Sequence, residues 1–315
     1  MFALEKRFLR HTHKIFHRII IKEGAKPIKI RPHNLNNQDK QELEKQIQEL
    51  VQIGIIERTS NSQWSSPVLL VDKVDSNSKR LVIDARKLNE VTMTETFYNP
   101  TVTEIITSLH GAKVFSKFDL TSGYWQVPIH PDDTHMTSFA THIGNFQYRY
   151  AAFGLKNSSV TLGKLLTELL APMIGKSLFI YQDDLLCFSE NETKHREIIL
   201  NLFDILDSAN LSINAKKSRM FKKKITFLGY SLDEHGIEIK KESIEAIVNL
   251  DYPRCKREVR GFLGSIQYFA KHIKSFHTIS APLRKLTSNK NDFCFEREQR
   301  ESFNKLKQLL LESQF

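Results

Sequence analysis

The sequence predicts an α+β fold of two or three subdomains with a helical C-terminal third, and three observations carry that prediction. At 315 residues with 40% hydrophobic side chains, the chain exceeds a single small module and can bury a sizeable interior. Strand-like and helix-like stretches are interleaved without the regular βαβ alternation of a Rossmann fold. Beyond residue 239 the pattern is helical, punctuated by Pro253 and Pro282.

The elements follow in chain order. Residues 1–29 show no clean period and many basic groups and histidines, which predicts an extended leader. Asn36 or Asn37 can cap a helix in which Leu43, Ile47, Leu50 and Val51 recur at helical spacing until Gly54. SPVLLVDK (66–73) and KRLVIDAR (79–86), joined through Asp75, Ser76, Asn77 and Ser78, predict a hairpin. VFSKFDLTSGYWQVPI (114–129) reads as a strand, a turn at Ser122-Gly123 and a second strand, and a further hairpin is expected across Gly144-Asn145. Leu162, Leu165, Leu166 and Leu169 share a helical face that stops at Pro172. SLFIYQDDLLCF (177–188) is apolar on both sides of a polar centre, which suits a buried hairpin with acids at its tip. Ser189 and Glu192 have capping-box spacing for a helix through about Ala209. Two short β segments remain, ITFLGY (225–230) and GIEI (236–239).

Charge and cysteine usage narrow the function classes. Lys and Arg number 46 against 36 Asp and Glu, a net charge of +10 that favours a polyanionic partner such as nucleic acid, although a merely soluble basic surface has the same composition. The three cysteines, Cys187, Cys255 and Cys294, form no CxxC pair, which excludes a disulfide scaffold or zinc cluster and points to the cell interior, the cytoplasm. No apolar run is long enough to span a bilayer, and the charged N-terminus is unlike a signal peptide.

Tyr181-Gln182-Asp183-Asp184 is the sharpest chemical signal. Adjacent carboxylates between apolar flanks repel each other where water is excluded, and a divalent cation relieves that cost. Mg²⁺ prefers hard oxygen ligands, the chemistry of phosphoryl transfer. Asp132-Asp133, beside Pro131 and without apolar flanks, serves as a contrast and is expected to be a solvated loop. Asp119 ends the strand VFSKFD, and if that strand lies beside the hairpin its acid can converge with Asp183 on two metal ions. A turn-initiating Asp before Thr-Ser-Gly is the alternative for Asp119.

KRLVIDARKLN (79–89), FDLTSGYWQVPI (118–129), FGLKN (153–157), YQDD (181–184), LSINAKKS (211–218) and FLGY (227–230) occur in one order and spacing. In these motifs the sequence, from about Ile21 onward, resembles the reverse transcriptase of gypsy-type LTR retrotransposons and, more distantly, of retroviruses. The resemblance implies a right-hand polymerase fold: fingers at 30–94 and 127–157, palm at 95–126 and 158–234, thumb at 235–288, and a connection-like tail at 289–315. It implies RNA-directed DNA polymerase activity, in which deoxynucleoside triphosphates are added to a primer on an RNA or DNA template with two Mg²⁺ ions. No protease signature precedes these motifs and no ribonuclease H or integrase follows, so a polymerase core without companions is expected.

The same resemblance assigns roles. Asp119, Asp183 and Asp184 would hold metal, with Asp184 the least needed in direct contact. Lys73 and Arg80 would hold the triphosphate, in keeping with the fork of Arg and the point charge of Lys. Leu120, Phe153 and Gly154 would line the nucleotide pocket, and Tyr124 would exclude a 2′-hydroxyl. Lys217, in a stretch (216–224) with six basic residues in nine, would protonate the leaving pyrophosphate. Phe227, Leu228, Gly229 and Tyr230 would form the primer grip. Arg254, Lys256, Arg257, Arg260, Lys271 and Lys274 would let the thumb follow the duplex backbone. The chain departs from the family pattern at Ser158–Gly163, where Gly163 costs a helix roughly 1 kcal/mol relative to Ala, and at Lys79, Ala85 and Gln182. Two rival readings are a non-catalytic nucleic-acid-binding remnant and an RNA-synthesising polymerase; the retained acids speak against the first and the bulky Tyr124 against the second.

Overall fold

The computed structural model describes residues 2–3, 8–60, 62–72, 78–98, 100, 104, 109, 111–239, 241–270, 273–288 and 292–312. The chain divides into two compact units, 1–223 and 224–315.

The first unit opens with a short strand β1 (Phe2–Ala3) and the helix α1 (Asn37–Gln52). Asn36 caps α1 by accepting the Asp39 N–H at 2.8 Å, and Leu43, Ile47 and Leu50 turn inward. Val51 remains 40% exposed, so the apolar stripe is narrower than its spacing suggests. Then come β2 (Ile56–Arg58), the hairpin β3 (Val68–Asp72) and β4 (Lys79–Ile83), and the short helix α2 (Arg86–Val91). The β3–β4 pairing runs from Val68 opposite Ile83 to Asp72 opposite Lys79, as the sequence predicts.

β5 (Val114–Asp119), β6 (Phe139–Thr141) and β7 (Gly144–Tyr148) precede the helix α3 (Ser158–Leu170). The hairpin β8 (Leu178–Tyr181) and β9 (Asp184–Ser189), the helix α4 (Glu192–Ser208), and strands β10 (Ile213–Asn214) and β11 (Arg219–Lys222) complete the unit. β11, β5, β9 and β8 form one antiparallel sheet in that order. Leu185 to Phe188 are all buried, so both faces of β9 are covered. Beneath them Leu162, Leu165 and Leu166 of α3 and Leu202 and Leu206 of α4 join one core with Phe118 and Leu120. Each such side chain contributes on the order of 1.5–3 kcal/mol, enough for the sheet to hold charged groups at its end.

Gly163 sits in the middle of α3 for a steric reason. A Cβ there would lie 2.6 Å from Cε1 of Phe97, so the helix gives up propensity to let that ring pack against it.

Several local expectations are corrected. After Ser122, which is left-handed at φ 47°, the chain forms a 3-10 turn over Gly123–Gln126 instead of a second strand. The buried Gln126 amide explains this: it donates to the carbonyls of Thr121 and Ser212, both at 2.9 Å, and accepts the Ser212 N–H at 2.6 Å, supplying the pairing that a ladder would. The β6–β7 turn falls at His142-Ile143, because Thr141 pairs with Gly144 and its hydroxyl donates to the Gly144 carbonyl at 2.8 Å. Asn191, not Ser189, caps α4, since the Ser189 hydroxyl is committed to the Asn191 carbonyl and the His195 ring, both at 2.9 Å. Asp133 is buried, not solvated; its carboxylate accepts from Arg18 Nε at 2.7 Å and the Ile19 N–H at 2.9 Å. Residues 9–29 run extended as expected, yet they are sewn into the unit: Thr12, His17 and Ile19 are buried and His17 bridges Ile129.

The second unit begins with the antiparallel meander β12 (Ile225–Phe227), β13 (Tyr230–Asp233) and β14 (Gly236–Ile239). Helices α5 (Lys241–Val248), α6 (Lys256–Gln267), α7 (Phe276–Leu286) and α8 (Arg297–Glu312) follow. Pro253 precedes α6 as a breaker, but Pro282 lies inside α7, where burial of Ser280, Leu283 and Leu286 outweighs its local cost. The buried rings of Phe262 and Phe303 meet at a tilt of 36° with centroids 4.2 Å apart. Among the described residues no helix is long and apolar enough to cross a membrane.

Candidate active site

β5 and the β8–β9 hairpin end at the same level. In the antiparallel register Asp119 stands directly opposite Asp184, and Tyr181 opposite Asp184, leaving Gln182 (φ 57°) and Asp183 as the turn. The Leu120 N–H donates to the Asp183 carbonyl at 3.2 Å, tying the strand end to that turn. The three predicted acids are therefore brought together. Among the described residues no group of three or more His, Cys, Asp or Glu side chains is already set around a metal position.

Lysines answer two of the acids instead. Lys217 Nζ lies 3.1 Å from Asp119 Oδ2, and Lys117 Nζ lies 2.9 Å from Asp184 Oδ2. Lys217 is presented by the turn after β10, where the Asn214 side chain accepts the N–H groups of Lys216 at 3.1 Å and Lys217 at 3.2 Å. Burial raises the Asp119 carboxyl above the usual range, against the pull of Lys217 and with the help of Asp183 and Asp184. Burial likewise raises Asp183, opposed by a bond to its own N–H and reinforced by Asp184. Such crowded, desolvated carboxylates gain from a positive charge, and their hard oxygens fit a divalent cation such as Mg²⁺.

Three of the residues expected in the nucleotide pocket, Arg80, Leu120 and Phe153, share a cleft with these acids. A cleft of about 720 Å³ is lined by Arg80, Leu120, Phe153, Asp119, Asp183 and Lys217, among others. The Arg80 guanidinium lies 4.7 Å over the Phe153 ring, and Tyr124 meets the same ring edge-on at 4.9 Å. Tyr124 does not itself line the cleft; it adjoins it through Phe153. At Gly154 the backbone has φ 100°, and a Cβ would fall 2.5 Å from the Ile83 carbonyl oxygen, so only glycine lets this turn close on β4. Lys73 lies outside the described residues.

Phe227, Leu228, Gly229 and Tyr230 belong to the second unit. Phe227 pairs with Tyr230 across a turn in which Leu228 and Gly229 have φ of 49° and 74°, and the Tyr268 hydroxyl donates to the Leu228 carbonyl. Of the cations expected along the thumb, Lys256 donates to the Ser288 carbonyl and Arg260 to the Thr287 carbonyl, both at 2.9 Å, serving the end of α7. Arg257 and Lys274 are exposed, and Lys271 lies outside the described residues.

Sequence reasoning missed Lys117 and, on α1, Gln46. Lys117 was legible, since two positions before Asp119 on a strand puts it on the same face. Gln46 carried no such signal.

Comparison with known proteins agrees with this geometry. Residues 20–232 match the family described as reverse transcriptase (RNA-dependent DNA polymerase). The chain is 34% identical over 281 residues to the retrovirus-related Pol polyprotein from transposon gypsy of Drosophila melanogaster, covering 84% of this chain and 27% of that protein. It is 30% identical over 279 residues to the enzymatic polyprotein of Cauliflower mosaic virus, covering 86% and 40%. A foamy viral protease-reverse transcriptase solved with double-stranded DNA superposes with a TM-score of 0.88 at 25% identity, over 99% of this chain and 55% of that one. The foamy viral enzyme with an RNA/DNA hybrid gives 0.85 at 25% identity, over 98% and 42%. The chain thus spans about a quarter to two-fifths of the length of these polyprotein relatives. With its α+β right-hand polymerase fold, the chain belongs to the reverse transcriptase (RNA-dependent DNA polymerase) family.

Proposed function

We propose that the chain is an RNA-directed DNA polymerase that adds deoxynucleotides to a primer 3′ end on an RNA or DNA template. The observation that carries this reading is the register placing Asp119 against Asp184 with Asp183 in the adjoining turn. Asp119 and Asp183 would hold two Mg²⁺ ions, with Asp184 beside them. Bound there, the ions would supply activation of the primer hydroxyl and charge neutralisation at the departing pyrophosphate.

The chain's own residues account for the rest. Lys217, an ammonium in hydrogen-bond reach of Asp119, would give a proton to the pyrophosphate. Arg80, spread over Phe153, keeps its N–H edge for phosphate oxygens, with Lys73 expected to assist. Leu120, Phe153 and Gly154 shape the pocket, and the Tyr124–Phe153 pair forms an aromatic wall against a 2′-hydroxyl. Phe227 to Tyr230 would grip the primer. The proposed fingers, palm, thumb and connection keep the ranges given above, and the division of the chain at 223/224 does not coincide with the proposed palm–thumb boundary at 234/235.

Extension of a primed RNA template by purified protein with Mg²⁺ tests the reading. Template binding without extension would favour a non-catalytic binding protein instead.

A further inference from the structure

Among the described residues β4 belongs to a sheet of two strands, with β3 on one side only. The backbone groups of Lys79 and Leu81 on its other side face α1. There the Gln46 side chain donates from Nε2 to the Lys79 carbonyl at 3.0 Å and accepts the Leu81 N–H at Oε1 at 2.8 Å. This is how a neighbouring strand brackets a residue, one bond on each side. The bracketed residue is Arg80. Gln46 Nε2 also donates to Glu42 Oε1, one turn earlier on α1, at 2.5 Å, so rotating the amide would forfeit all three bonds. Asp39, further along the same helix, pairs with the Lys79 ammonium. Gln46 is half-buried and lines the same cleft as Arg80, Phe153 and Asp119.

We propose that Gln46 is a positioning residue for nucleotide binding: its amide stands in for a missing strand, fixes the backbone on either side of Arg80, and presents the guanidinium to the triphosphate of the incoming nucleotide. The proposal rests on the polymerase reading above. Arg80 is otherwise a long side chain on the edge of a two-stranded ribbon, and such ribbons are marginally stable alone. Holding its backbone lowers the ordering cost of binding.

Single-nucleotide incorporation by the full chain, with the nucleotide dissociation constant and the maximal rate read separately, tests this. Gln46→Leu keeps the volume and removes the amide. It should weaken nucleotide binding about three- to tenfold, the range one modest hydrogen bond represents, while the maximal rate and primer-template affinity stay within about twofold. In an Arg80→Ala background the same change should matter less than about twofold, because coupled residues are not additive. Equal factors in both backgrounds, or a lower melting temperature with unchanged nucleotide binding, would overturn the proposal. If the parent protein extended no primer, the polymerase reading would fail first. Amide exchange at Leu81 would then decide, since Gln46→Leu should accelerate it at least about tenfold by opening that bond, and unchanged exchange would sink the idea.

Discussion

Asp119 and Asp184 are direct cross-strand partners, and each carries its own lysine: Lys217 at 3.1 Å on Asp119 and Lys117 at 2.9 Å on Asp184. Asp183 feels both lysines and Asp184 through space. The arrangement is a near-balanced cluster of three acids and two cations at the end of an apolar sheet. A divalent cation entering it would compete with Lys217 for Asp119, leaving that ammonium free to face a phosphate.

Asp183→Asn separates catalysis from binding, since it removes one negative charge and almost no volume. Incorporation should fall by at least about 100-fold, as expected when a two-metal site loses a carboxylate. Primer-template affinity should persist or rise slightly, because a like charge facing the polyanion has gone. Incorporation at the parent rate would mean that these acids are not the metal site.

Tyr124→Ala should admit ribonucleotides while leaving primer binding intact. Phe153→Ala should do more, because Tyr124 and Arg80 both rest on that ring. Losing two contacts of about 0.5–1.5 kcal/mol each predicts weaker nucleotide binding as well as weaker sugar discrimination. Unchanged discrimination in the Tyr124 variant would remove the gate assignment.

What was legible in the sequence and what was not divides along physical lines. The β3–β4 hairpin, the acid-tipped β8–β9 hairpin and α1 were readable because short-range pattern and turn chemistry decide them. The stretch after Ser122 was misread because its outcome depends on Gln126 meeting Ser212, 86 residues away. Asp133 was misread as solvated for the same reason, its partners being Arg18 and Ile19. At the site, the acids were accessible from their apolar flanks and Lys217 through motif resemblance, whereas the Gln46 amide faces a strand edge, and no local pattern announces that. Gly163 looked like a departure from the family and is instead the space into which Phe97 packs.

Stability should fall as pH drops from about 6.5 to 4, and buried histidines are the cause. Burial holds His17 and His195 down to about 4. In that window the unfolded chain binds protons that the folded chain refuses, so stability rises with pH. Asp119 and Asp183, raised by burial, act with the opposite sign and partly offset the slope. Asp84, held near 2 by Arg86, adds a separate loss only below the usual carboxylate range. Urea unfolding across pH should therefore show a shallower slope between 6.5 and 4 for His17→Asn than for the parent, by about one proton; identical slopes would show that His17 does not stay neutral.

The cations of the proposed thumb divide into two kinds, and salt dependence can distinguish them. Arg257 and Lys274 are exposed, whereas Lys256 donates to the Ser288 carbonyl at 2.9 Å beyond the end of α7. Reversing the first pair, Arg257→Glu with Lys274→Glu, should weaken primer-template binding and flatten its log-log dependence on salt. Each lost phosphate contact should lower the slope by about 0.9 for a B-form duplex, because fewer counterions are released. Lys256→Ala should mainly lower the melting temperature, because it leaves a helix-end carbonyl without that donor. Affinity measured against salt for the parent and these variants, beside thermal unfolding, checks both halves. A steep salt slope surviving the double reversal would place the duplex on some other face of these helices.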